Sequence, residues 1–348
     1  MKLAPALAAL LLAAHPAAGG EATGLVDHHV HILGPGLVRD WKSLGVPFSR
    51  EDSAYTSAAR YFEPAAEGPG AGRAVAAAIL VPMAHLYGRE GFRQALELPV
   101  EEERRRVAAE NDHVAAEAER LGERAVAFCS VPLRRPYTFA ELARCRDELG
   151  GRGLKLHLAA SVVDLTAIAD RRDVGRALAE AAEGGLAVLL HLDPQRRGLE
   201  AADVDRFLDE ALGPVPELEI VIAHLGGSGG FGPWTQSVLG TITDWLARRA
   251  EAGEPRVGVF VDLSAVILAE PSEGVPATTA GEVAALAPAL RRLGLERVVF
   301  ASDAPVFDPR DYAALLAERS GLTAAELESI TSRWMPVLAR STGATARP

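Results

Sequence analysis

Eight short apolar runs rich in Val, Ile and Leu, starting on average about 39 residues apart, constrain this chain more than any other feature. They cover Leu25–Val30, Ala76–Pro82, Ala125–Pro132, Gly153–Leu158, Leu186–Leu192, Glu219–Leu225, Val257–Val266 and Arg297–Ala301. Between most of them lie Ala-, Glu- and Arg-rich stretches with apolar residues at helical spacing: Glu101–Leu121, Phe139–Leu149, Val174–Glu183, Val204–Leu212, Trp234–Glu251 and Glu282–Leu293. Strands alternating with helices at this interval are parallel, because a parallel pair needs a crossover of a dozen or more residues. Eight such units predict an α/β fold of the closed (β/α)8 TIM-barrel kind, with a doubly wound open sheet as the alternative. No Pro/Gly/Ser linker or charge tract divides the sequence, so residues 24–345 are read as one barrel. A long loop follows strand 1, from Ile32 to about Arg73, and is expected to lie over the mouth as a lid or substrate wall.

The 348 residues carry a formal net charge of −11, whereas nucleic-acid binding needs a concentrated basic surface, so nucleic acid is excluded as a partner. Lys2, the apolar run from Leu3 to Ala14 and the small residues Ala17 to Gly20 have the three parts of a secretory signal peptide, read as residues 1–20. Export to the periplasm or the medium is the expectation. No later run is apolar over the 18 or more residues of a membrane anchor, so no integral membrane segment is expected after signal removal. Homo-oligomers are compatible with this composition. Cys129 lies in an apolar run and Cys145 in a helical pattern, and both are read as buried free thiols.

Of nine histidines, six fall on or just beyond expected strands: His28, His29, His31, His157, His191 and His224. A barrel gathers the carboxyl ends of its strands at one mouth, so residues distant in sequence converge there. Period-two alternation puts Asp27, His29 and His31 on one face of strand 1, taken as inward, and turns His28 toward the helices. Imidazoles at i and i+2 can grip one divalent ion, and His191, His224 and Asp303 stand where later apolar runs stop.

The ordered set Asp27-His28-His29-Val30-His31, Gly153-Leu154-Lys155-Leu156-His157, His191, Ala223-His224-Leu225-Gly226-Gly227 and Ser302-Asp303-Ala304-Pro305 resembles the amidohydrolase superfamily. The likeness is to its amidohydrolase-related branch of metal-dependent hydrolases and decarboxylases. The resemblance implies that His29, His31, His191 and Asp303 bind one divalent metal ion, zinc first and manganese as the alternative. It makes Asp303 and His224 the catalytic pair: Asp303 takes a proton from water, and His224 hydrogen-bonds the developing oxyanion. A divalent ion would lower the pKa of that water and polarise a substrate carbonyl.

Lys155 and His157 share a face of strand 4 and are read as substrate-binding; a carboxylated Lys155 bridging a second metal is the minor alternative. His85 is a candidate for the layer behind the site, and His28 is structural. The run Glu101 to Arg106 is expected to pair its own charges on a solvated helix. Gly227-Ser228-Gly229-Gly230-Phe231-Gly232 has the form G-x-G-x-x-G, but the next strand-end carboxylate, Asp262, stands too far on for a ribose contact. The functional expectation is a metal-dependent hydrolase cleaving an amide, ester or lactone-type bond of a small molecule. A decarboxylase on the same barrel is the second reading, and a non-catalytic metal- or ligand-binding barrel is the third.

Overall fold

The structure, a computed structural model, describes residues 24–63, 73–192, 199–215, 217–272 and 274–342; the expected signal peptide at 1–20 lies outside them. Its strands are β1 (Leu25–His31), β2 (Val75–Val81), β3 (Ala125–Ser130), β4 (Gly153–His157), β5 (Ala187–His191), β6 (Glu219–Ile222), β7 (Gly258–Asp262) and β8 (Val298–Val299). All neighbouring pairs are parallel, in the order β1 to β8. The seam between β8 and β1 is closed by residues just past β8. His28 N donates to Phe300 O (3.1 Å), Asp303 N to His29 O (2.9 Å) and His31 N to Ala304 O (2.7 Å). This is the expected (β/α)8 barrel.

The helices are α1 (Pro35–Ser43), α2 (Ser53–Thr56), α3 (Ala58–Phe62), α4 (Glu90–Ala95), α5 (Val100–Leu121), α6 (Thr138–Asp147), α7 (Ile168–Glu183), α8 (Ala201–Phe207), α9 (Pro233–Glu251), α10 (Ala280–Leu293), α11 (Pro309–Arg319), α12 (Ala324–Thr331) and α13 (Pro336–Thr342). Apolar residues of β4 to β8 and of α7 to α12 form one large cluster between sheet and helices. A smaller cluster fills the barrel itself, with Val26, Ile79, Phe128, Leu189, Val221 and Val299 stacked on Met335, Val337 and Leu338. Val337 N donates to Glu219 at the start of β6, so α13 plugs the end opposite the mouth. Among the described residues, the stretch after β1 is three short helices rather than an open loop. Leu37 and Val38 of α1 pack with Val107 of α5, and Gly34 N donates to the buried Glu110 (2.8 Å).

Alternation fails at one place in β1. Asp27 pairs with Ala78 and Val30 with Leu80, so His28 and His29 together oppose the single residue Ile79, which makes a β-bulge. Val26 is inward, and Asp27 therefore faces the helix layer, contrary to the expectation from strict alternation. There it accepts from Tyr61 OH (2.7 Å) and from the backbone N of Ser302 (3.1 Å), and burial pushes its carboxyl up to about 6. His28 is held in the seam, with Nδ1 on Phe300 O at 2.9 Å. The bulge lets His29 join His31 on the inner face.

The cysteines also depart from expectation, because Cys129 and Cys145 form a disulfide. The chain leaving β3 folds back through α6 onto the same strand, and both side chains are buried there with their Cα atoms 6.2 Å apart. Cross-linking a loop of this size is worth about 3 kcal/mol. Cys129→Ala combined with Cys145→Ala is expected to lower stability to denaturant by about 2 to 4 kcal/mol. A midpoint equal to wild type would show that the bridge carries no weight in solution. The charged run of α5 is only partly solvated, since Glu103 is buried and binds Arg135 and Tyr137.

Candidate metal centre

Three acceptor atoms converge at the mouth. His29 Nε2 lies 3.1 Å from His31 Nε2, and Asp303 Oδ1 lies 3.5 Å from the first and 3.4 Å from the second. The other nitrogen of each ring fixes its tautomer. His29 Nδ1 faces Asp262 Oδ2 at 3.2 Å and His31 Nδ1 faces Val81 O at 3.0 Å, and since both partners only accept, each Nδ1 carries the proton. Two lone pairs and a carboxylate oxygen then face one another, an arrangement that positive charge stabilises, whether from Lys155 Nζ, 3.0 Å from His29 Nε2, or from an ion among them. Two nitrogens on a tetrahedral ion with bonds of about 2.0 to 2.1 Å stand about 3.3 Å apart. The donor set thus fits a divalent ion.

Backbone conformation aims these groups. Asp303 (φ 58°), His224 (φ 53°) and Leu225 (φ 55°) all occupy the left-handed region, costly for residues with a Cβ and tolerated where the surroundings enforce it. β6 consequently stops at Ile222, and the turn lifts His224 from the strand end. The glycines after it serve packing: a Cβ on Gly227 would lie 2.3 Å from Thr235 Oγ1, and Gly226 has φ +87°.

Asp262, noted in the sequence only as a strand-end carboxylate, joins the two halves of the site. Its Oδ2 holds His29, while Oδ1 accepts from the backbone N of His224 (2.9 Å), Ser264 N (3.1 Å) and Ser264 Oγ (2.5 Å). His224 Nδ1 faces Ser264 O at 3.0 Å and Ser264 Oγ at 2.9 Å. The Ser264 hydroxyl donates to Asp262, so both oxygens around His224 Nδ1 accept and that nitrogen carries the proton. A neutral His224 therefore offers a lone pair at Nε2, and donates to an oxyanion only after taking up a proton. Asp262→Asn removes the acceptor that orients His29, and metal affinity is expected to fall by about 10- to 100-fold, measured by calorimetry. Unchanged affinity would assign Asp262 to the turn alone.

The remaining expected residues surround this core. Lys155 is fully buried, with Nζ 3.0 Å from His29 Nε2, and burial pulls its ammonium down to about 8. His157 stacks flat on His191, with centroids 4.1 Å apart and planes 8° apart, and His191 meets His224 edge-on at 4.7 Å. His191 stands outside the three-atom convergence, but its Nε2 is buried without a hydrogen-bond partner. Burial, reinforced by neighbouring cationic groups, holds His29 and His191 well below the usual imidazole range, which keeps their nitrogens available as ligands. Burial raises the Asp303 carboxyl, but positive charge or a proton on the surrounding His29, His31 and His224 outweighs it and lowers the group below the usual carboxylate range.

The family model described as Amidohydrolase matches residues 26–332. No curated protein matches the chain. Among solved structures, 5-carboxyvanillate decarboxylase from Sphingomonas paucimobilis aligns at 15% identity and TM-score 0.56, over 93% of this chain and 100% of that one. Dihydroxybenzoic acid decarboxylase from Polaromonas sp. JS666, with bound manganese and 2-nitroresorcinol, aligns at 14% and 0.56, over 92% and 97%. A candidate 2-pyrone-4,6-dicarboxylic acid hydrolase from Pseudomonas putida aligns at 20% and 0.51, over 92% and 98%. These likenesses establish the shared barrel, and the family match spans β1 through α12; the chain belongs to the amidohydrolase family.

Proposed function

We propose that this chain is a metal-dependent hydrolase of a small molecule bearing an amide, ester or lactone-type bond. The observation that carries the reading is the convergence of His29 Nε2, His31 Nε2 and Asp303 Oδ1, with the proton of each ring held away on its Nδ1. His29, His31 and Asp303 would hold the ion, with His191 as a further ligand from β5. When bound, the ion supplies Lewis acidity toward a carbonyl oxygen and lowers the pKa of a water. Zinc suits the imidazoles, while manganese is the ion held by the Polaromonas relative.

Asp303, ionised and facing both histidines, accepts the proton of the attacking water and returns it to the leaving group. His224 Nε2 is a second acceptor beside it, and once protonated it donates to the negative oxygen of the intermediate. Lys155 and His157 hold the substrate from the β4 side.

Decarboxylation is the second reading, favoured by the two decarboxylases among the solved relatives described above. Protein loaded with zinc or manganese and offered lactones, esters, amides and aromatic carboxylates separates the two: acid release supports hydrolysis, and CO₂ release assigns the second reading. Absence of any bound ion and of any turnover would overturn both. Export is part of this proposal, supported by the Cys129–Cys145 disulfide, since such bonds persist in oxidising compartments.

A further inference from the structure

Lys155 stands on β4, in register with Ser130 of β3 and Leu189 of β5, and its side chain is fully buried. The chain has only three lysines among its 36 Lys and Arg residues, and this is the one inside the barrel. Its Nζ lies 3.0 Å from His29 Nε2, its only hydrogen-bond partner among the described residues. Asp303 and Asp262 act on it through their charge, yet neither pairs with it directly. A buried amine with a single acceptor holds that acceptor strongly.

The acceptor has another claimant. His29 carries its ring proton on Nδ1, against Asp262, so Nε2 offers one lone pair. Lys155 donates to it whether the amine is charged or neutral. The same nitrogen faces His31 Nε2 at 3.1 Å and Asp303 Oδ1 at 3.5 Å, as a metal ligand does. One lone pair cannot serve an N–H and an ion together, and a divalent ion beside a buried ammonium is also repelled by its charge. We propose that Lys155 competes with the metal ion for His29 Nε2, so that metal binding releases the amine to a substrate oxygen. Lysine suits this task, because a flexible four-carbon stem lets its donors be redirected without moving the strand. The proposal rests on the metalloenzyme reading and adds to it a control on when the site takes its ion.

Zinc affinity, measured against a chromophoric chelator, is compared in wild type, Lys155→Met and Lys155→Gln, with the fold of each checked by circular dichroism. Methionine keeps an unbranched apolar stem and removes the amine; glutamine removes the charge and keeps an N–H. Lys155→Met is expected to bind zinc about tenfold or more tighter than wild type, with Lys155→Gln between the two. The wild type supplies a second readout. With lysine labelled at Cε its carbon-13 spectrum holds at most three signals, and zinc is expected to shift that of Lys155 while that of the exposed Lys42, paired with Asp52, stays in place. Equal zinc affinity in wild type and Lys155→Met, or a Lys155 signal indifferent to zinc, would overturn the proposal. Weaker binding in Lys155→Met would also overturn it, and would place the amine or its carboxylated form among the ligands. If wild type and both variants hold no zinc, the metalloenzyme reading itself falls.

Discussion

Asp303→Asn is expected to lower turnover by at least about 10³-fold and to weaken metal binding, since in the proposed mechanism one substitution removes a charged ligand and the water's proton acceptor. Asparagine is the informative replacement because the residue sits at φ 58°, where asparagine is among the few side chains tolerated. The backbone then stays in place, and the hydrogen bond from Asp303 N to His29 O is kept. Alanine would confound lost chemistry with local strain. Rates on whichever substrate the wild type processes, together with elemental analysis, check the result; a variant that turns over within tenfold of wild type would remove Asp303 from the mechanism.

The second large effect is on the ion itself. His29→Ala combined with His31→Ala removes both facing lone pairs and leaves only Asp303 from the converging set. The double variant is expected to purify with essentially no metal, where the wild type carries one ion per chain, and to have no activity. Folding should survive, because Val26 and Val30 still pack on opposite sides of β1. Full metal content in the double variant would place the ion elsewhere. Two ions per wild-type chain would instead draw Lys155, as a carboxylated bridge, into the ligand set.

Much of this architecture was legible because strand interiors are written plainly in the sequence: each of the eight apolar runs overlaps an observed strand, and six contain it whole. The ends were less legible. The run from Val257 to Val266 is twice the length of β7, because Leu263 to Val266 are buried in a turn and burial alone does not reveal direction. The bulge at His28 and His29 has no sequence mark, so alternation assigned Asp27 to the wrong face. The Cys129–Cys145 bridge depended on how α6 docks against β3, which no spacing rule gives. At the site, His29, His31 and Asp303 were readable as strand-end ligands. Asp262 was visible as the same kind of residue and was missed because its partners, His29 and the His224 turn, come from other strands.

The ligands sit on either side of the seam. His29 and His31 belong to the first strand and Asp303 to the segment after the last, and the backbone bonds that shut the barrel run through these same residues. An ion bound here is a clasp between the two ends of the barrel. Its binding free energy is also closure free energy, about 4 kcal/mol when free ion exceeds its dissociation constant a thousandfold. The chain can therefore complete its metal centre only after the last strand has reached the first, so a full ligand set certifies a finished barrel.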